Sequence, residues 1–387
     1  MSRLSEARFR RPPDDDGKWS VLTFDLWKVV MIDRMSILAA PRTWIRIFCL
    51  TASLTPLAGV SAKSQSTDEM PAIGQINYFG YGGIDLQPIE AAMPIKLGGV
   101  LSLNGLKSTQ DLIEQRIRGI TGHVSTNIDF VCCDEHRHLL IFIGLGGTSS
   151  RTPPFRPDPN GSDHLESAAL KLYQQNMDAL AAAVQRGSAS EDDSNGYALN
   201  SDAELHRIQL LIRAYALDRG PELERVLRDA ADPKQRQVSA ALLGYAKRSP
   251  SQIQGLADAI LDSDSEVRNN AVRALMVLTS VKSTTPIHLN LTSIEALLSS
   301  GVWSDRNKAS LLLDNLTASR DPAMLHELRA TALDALIEGA SWHGDPGRAG
   351  SFVILLGRIA NLSEEQLLPT PDAISIARII ERARVAD

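Results

Sequence analysis

A chain of 387 residues, 43% apolar and 22% charged, has room for two or more domains and enough apolar side chain to bury a core. A net charge of −6 argues against a nucleic-acid binder, which carries a basic face. Aromatics make up only 5% while Ala and Leu dominate the C-terminal half, which favours packed helices over strands, and no internal apolar run approaches the ~20 residues of a membrane span.

Residues 1–34 form a charged, proline-containing tract (Arg10, Arg11, Pro12, Pro13, Asp14 to Asp16) without periodicity, expected to be disordered or to be upstream sequence read as protein. A different pattern follows. Arg42 and Arg46 precede the apolar stretch Ile47 to Val60 and the small residues Ser61 and Ala62. Basic region, short apolar region and small residues make a secretory signal peptide over 35–62, cleaved after Ala62, with the true start at Met31 or Met35. The competing readings are a membrane anchor or a buried helix. Arg10-Arg11 is followed by Pro and Asp, so a twin-arginine signal is not expected. No Cys follows Leu57-Ala58-Gly59, so lipidation there is not expected either. The expectation is a periplasmic or secreted protein with no integral span after cleavage.

The segment 71–147 reads as strand, two helices and a hairpin. Ile73, Ile76, Tyr78 and Phe79 precede a turn at Gly80, Gly82 and Gly83. Asp85 to Met93 is a short helical pattern stopped by Pro94. Ser108 is a candidate cap for a second helix carrying Leu112, Ile113, Ile117 and Ile120, ended by Gly122. Ile128 to Cys133 and Leu139 to Ile143 then read as two strands joined by a polar tip. This βααββ order, with the phrases INYFGYGGID, PIKLGGVLSLNGL and GHVSTNIDFV, resembles a POTRA domain over about 75 residues. That resemblance implies binding of extended peptide by strand addition to the sheet edge. No train of barrel strands follows.

One constellation has chemical potential: Cys132, Cys133, Asp134, Glu135, His136 and His138. Thiolates and imidazoles suit zinc or copper, and His136 and His138 two apart in a strand point the same way. Against a metal, adjacent cysteines in a strand face opposite sides and no C-x-x-C pair occurs. Packed cysteines under a solvated tip, a metal site, and a disulfide or redox role are the alternatives; an exported thiol meets an oxidising compartment. Packing is the favoured one, so no metal or cofactor is expected.

Residues 148–163, with Pro153, Pro154, Pro157, Pro159 and Gly161, are turn chemistry and mark a linker. The GLGG phrase before it lacks the Lys-Ser/Thr of a phosphate loop. Leu165 to Arg186 follows as an amphipathic helix, and Ser190 to Gly196 as an acidic loop without calcium-loop spacing.

From 164 to 387 one phrase returns. SEVRNNAVRALMVL places Arg268, Ala271, Ala274, Leu275 and Leu278 on one helical face. PKQRQVSAALLGYA repeats it from Arg236 and WSDRNKASLLLDNL from Arg306, with weaker copies at Arg207 and Arg348. The arginines are spaced by roughly 30 to 40 residues, enough for two short helices and their turns. Partner helices are expected at Glu222 to Ala230, Gln252 to Leu261, Thr292 to Ser299 and Met324 to Ala340, and a capping helix around Ile376, Ile379 and Ile380. The pattern resembles the HEAT repeat, most clearly at DSDSEVRNNAVRAL. The resemblance implies a ladder of Asp264 and Arg268 between repeats, with Arg236 and Arg306 in equivalent places. These are structural roles; bidentate Arg–carboxylate bonds suit them.

The fold class read from the sequence is therefore an α+β N-terminal domain followed by an all-α HEAT-like solenoid. No G-x-S-x-G, H-E-x-x-H or kinase motif is present, and no enzyme is expected. A solenoid leaves a concave face for a partner, so the expected role is an exported scaffold or adaptor for a protein or peptide. The alternatives are a cell-envelope assembly factor working by strand addition, and a lyase-type HEAT-repeat enzyme.

Overall fold

The computed structural model describes residues 69–134, 136–188, 190–281, 287, 289–342, 346–367 and 371–386. The tract 1–34 and the expected leader 35–62 lie outside the described residues.

The N-terminal region runs β1 (Ile73–Phe79), α1 (Gln87–Ala92), α2 (Leu106–Thr121), β2 (Asn127–Cys132) and β3 (Leu139–Gly144). Pro88 enters α1 in its first turn, where its missing N–H costs nothing. Ser108 is not the cap of α2. The helix opens at Leu106 after Gly105, and the Ser108 hydroxyl donates back to the Gly105 carbonyl. It closes on Gly122 at φ 80°, the left-handed stop a glycine takes without strain. The sheet order is β1-β3-β2, with β1 parallel and β2 antiparallel to β3.

All six residues of β3 are buried, as in a strand covered on both faces. Leu139, Ile141 and Ile143 pack with Ile89, Ile113 and Ile117 of the two helices. Leu140 and Phe142 turn the other way, into the core of the repeats. Phe142 stacks on Trp303 at 4.2 Å between ring centres and meets Trp342 edge-on at 5.6 Å. The small sheet is thus a middle layer between its own helices and the solenoid.

The helical body comprises α3 (Ser167–Arg186), the short hairpin β4 (Glu191–Asp192) and β5 (Leu199–Asn200), α4 (Ala203–Asp229), α5 (Pro233–Leu243), α6 (Pro250–Asp258), α7 (Ser265–Ser280), α8 (Leu291–Leu298), α9 (Trp303–Leu316), α10 (Pro322–Ala340), α11 (Pro346–Ile359), α12 (Glu364–Leu367) and α13 (Ala373–Val385). The expected helix at 222–230 is the second half of α4. That helix bends at Arg219 (φ −113°, ψ 16°), just before Gly220 and Pro221, because proline removes an N–H and crowds the preceding turn.

Successive inner helices α5, α7, α9 and α11 stack side by side. They are buried almost all round, every residue of α7 from Val267 to Leu278 included. Carboxylates cap the starts: Asp202, Asp232, Asp264, Asp321 and Asp372 each accept backbone N–H bonds. Donors from neighbouring repeats satisfy the ends, Arg213 at the Tyr245 and Ala246 carbonyls, Arg248 at Leu278 and Arg358 at Asp314.

Buried arginines join the repeats, though not as the HEAT resemblance implies. Asp264 is not a rung: its carboxylate is spent capping α7 at the N–H groups of Glu266 and Val267. Arg236 instead forms a two-bond pair with Asp262 (3.0 and 2.9 Å), and Arg268 with Asp305 (2.9 and 2.7 Å). The spare Nη1 of Arg236 donates to the Ala230 and Ala231 carbonyls, and that of Arg268 to Asp262 and Ser263. Arg306 departs from the pattern, pairing with Glu338 at 2.9 Å and donating to the Ser300 and Ser149 carbonyls. Arg207 makes an exposed pair with Glu204, and Arg348 lies over the Phe142 and Trp303 rings.

Arg268→Ala leaves the Asp305 carboxylate buried without its charge partner, a loss of about 3–5 kcal/mol. Thermal denaturation should show a clear fall in melting temperature. An unchanged midpoint would mean the rung carries no stability.

Candidate functional site

The residues expected to form a linker, 148–163, are laid along the turns of the repeats as an extended strap. Three backbone N–H groups, five residues apart, each donate to one repeat: Arg151 to the Ser299 carbonyl (2.7 Å), Arg156 to Leu261 (2.7 Å) and Gly161 to Asp229 (2.9 Å). The Ala231 N–H returns a bond to the Gly161 carbonyl at 2.9 Å. Pro153, Pro154, Pro157 and Pro159 fall between these donors. They hold the chain extended and remove N–H groups where no acceptor waits.

The strap roofs the arginine ladder. Phe155 lies against the Arg268 guanidinium, 4.1 Å from its carbon to the ring centre, a favourable stacking that also keeps water off the ion pair. The Arg156 side chain joins Arg236 on Asp262 and donates to the Leu227 carbonyl at 3.0 Å. Burial alone would raise the Asp262 carboxyl; hydrogen bonds from Arg236, the Asp264 N–H and Arg156 outweigh it and hold the group below the ordinary carboxylate range. Gly161 is required by close approach, since a Cβ there would stand 2.4 Å from the Asp229 carbonyl oxygen.

Where the strap begins, a groove of about 720 Å³ opens between the loop at Tyr81 and Gly82, the strap residues Thr148, Ser149 and Arg151, and the outer helix α10 from Arg329 to Glu338. Glu338 closes its floor. One carboxylate oxygen accepts from the Gly80 N–H (2.5 Å) and from Arg306, and the other from the Ser149 hydroxyl (2.5 Å). Burial pushes the Tyr81 hydroxyl above its usual range, partly countered by the Ser341 side chain. Arg151, Arg329 and Asp334 line the walls together with Thr331 and Ala330. Mixed charge and hydroxyls suit a polar ligand more than a compact apolar one.

The tip between β2 and β3 brings the expected Cys/His cluster together differently from a metal site. Cys132 and Cys133 are joined to each other by a disulfide, so in this state neither sulfur is a thiolate ligand. Of the alternatives left open by the sequence, the disulfide is the one present. The Asp134 carboxylate accepts from the His136 and His138 N–H groups (2.9 and 2.7 Å) and meets His138 Nδ1 at 3.2 Å. Among the described residues no group of three or more His, Cys, Asp and Glu is arranged to hold a metal ion. Arg236, Arg268 and Arg306 lie in the ladder beneath the strap, remote from this tip in the chain. The strap and the groove were invisible to motif reading. The prolines marked an extended chain, but not the surface it lies against.

No known family model matches the chain, so neither the HEAT nor the POTRA resemblance becomes a family assignment. No curated protein matches it either. Among solved structures, a computationally designed armadillo repeat protein for modular peptide recognition is similar at 18% identity and a TM-score of 0.32. The match covers 55% of this chain and 97% of that one. A second designed armadillo repeat protein is similar at 17% identity and a TM-score of 0.31, covering 48% of this chain and 94% of its own. Overlap so slight leaves the helical-repeat architecture resting on the stacking of α4 to α11 described above.

Gly161→Ala should lift the C-terminal end of the strap from Asp229 and expose 152–163 to proteolysis while the repeats keep their helical signal; a strap still resistant to protease would show that the contact is dispensable. For Asp262, whose folded pKa is depressed, the stabilisation is complete above the ordinary carboxylate pKa of ~3.9 and is lost as pH falls below it. Asp262→Asn should therefore flatten the acid limb of the stability curve, measured by urea denaturation from pH 6 down to about pH 3.

Proposed function

We propose that this chain is a non-catalytic scaffold, exported to the periplasm or the exterior, that holds an extended peptide or protein segment. The observation that carries the reading is the strap. The turn edge of the repeats already grips a proline-rich extended chain by backbone hydrogen bonds at Arg151, Arg156 and Gly161. The groove beside α10 opens where the strap begins and has polar walls. Main-chain bonds of this kind supply affinity with little demand on sequence, and side-chain pockets add the selection.

Selection from a displayed peptide library, followed by fluorescence polarisation on the purified chain, tests the groove. Ala330→Trp fills it from an exposed position of α10 and should cost at least about tenfold in affinity, or about 1.4 kcal/mol. Equal binding by that variant, or no binder at all, removes the groove from consideration. Export is tested separately by N-terminal sequencing of the mature protein from its native host, with a first residue of Lys63 expected and an uncut chain in the cytosol as the refuting result.

A second reading has its own observation. β2 pairs with β3 and is one of the two edge strands of the sheet, β1 being the other. An extended segment of an envelope protein could add there as a fourth strand, the role of an assembly factor. The two readings separate cleanly: a proline at an outward-facing amide of β2 blocks strand addition and leaves binding in the groove untouched.

A further inference from the structure

Cys132 and Cys133 are bonded to each other with no residue between them. A disulfide stabilises a fold chiefly by closing a loop in the unfolded chain. A loop with no intervening residue offers almost none of that, so this bond does not staple one element to another. Nor is it sealed in. Both cysteines are partly exposed at the end of β2, followed by the exposed His136 and Arg137. Reactive disulfides are accessible ones, because an attacking thiolate must reach the sulfur. The tip also reaches the body of the protein. A Cβ built on Gly187, the residue that ends α3, would lie 3.9 Å from Arg137 Nη2, and Cys132 packs against the core shared with the repeats.

We propose that Cys132–Cys133 is a thiol–disulfide exchange site whose substrate is the dithiol of a reductant. A thiolate of the reductant attacks Cys133 Sγ, the sulfur away from the shared core. The S–S bond breaks, a mixed disulfide forms, and the electron pair leaves on Cys132, which takes a proton from water. The second thiol of the reductant then attacks the mixed disulfide and releases Cys133. The protein gains two electrons and two protons, and the reductant leaves as its own disulfide. This inference is independent of the peptide groove, which lies at the other end of the sheet.

The test uses the full-length chain, folded and purified without reductant, with dithiothreitol as the probe and iodoacetamide as the label. Peptide mapping distinguishes these two cysteines from Cys49. Expected is no label on Cys132 or Cys133 before treatment and complete labelling of both after dithiothreitol under native conditions. Free, labelled thiols in the untreated protein would overturn the proposal. So would a disulfide that yields only after denaturation. The Cys132→Ser/Cys133→Ser variant should melt at the temperature of the parent; a large fall would mark the bond as structural and overturn the exchange role.

Discussion

Three guanidinium groups, Arg236, Arg268 and Arg306, are each no more than 2% exposed. Taking a charge out of water costs several kcal/mol unless a partner and a full set of hydrogen bonds replace the solvent. Each arginine therefore needs a carboxylate from an adjoining repeat and carbonyls from the turn before its own helix, and each has them. That requirement fixes the offset of one repeat on the next. It also demands a roof, because a ladder open to water would not need such complete pairing. The strap supplies it with Phe155 and Arg156.

The same demand ties the small sheet to the helices. Arg306 has no bidentate aspartate and completes its set with Glu338 and the Ser149 carbonyl. Glu338 in turn holds the Gly80 N–H at the end of β1. Phe142 reaches past this polar joint to Trp303 and Trp342. The result is one core running from β3 into α9 and α11, with the sheet, strap and repeats as parts of a single packed body.

Much of the skeleton was legible in the residues. Periodic apolar positions located the strands and most of the helices, since burial on one face leaves a pattern in the sequence. The arginines that recur before Ala271 and Ala309 marked the inner helices. Less legible was who partners whom. Asp264 and Asp262 are two residues apart and chemically identical; only the helix start, which claims Asp264 as its cap, decides that Asp262 faces Arg236. The strap was hidden for a similar reason. Prolines specify an extended chain whether it floats or lies against a surface, and docking depends on carbonyls more than sixty residues further along. The groove depends on the same long-range placement, so nothing local announces it.

The reach of these contacts bears on the order in which the protein is made. Gly80 bonds to a side chain 258 residues later, and the Tyr78 carbonyl accepts from a tryptophan 264 residues later. A chain emerging N-terminus first presents the sheet, then the strap, long before their partners exist. Contacts between neighbouring repeats are local and close early, while those of the sheet and strap span most of the sequence and carry a heavy loop-closure cost. During synthesis Phe142 of β3 lacks its ring partners Trp303 and Trp342 until α9 and α10 have emerged. That interval is when the nascent chain has most need of a chaperone.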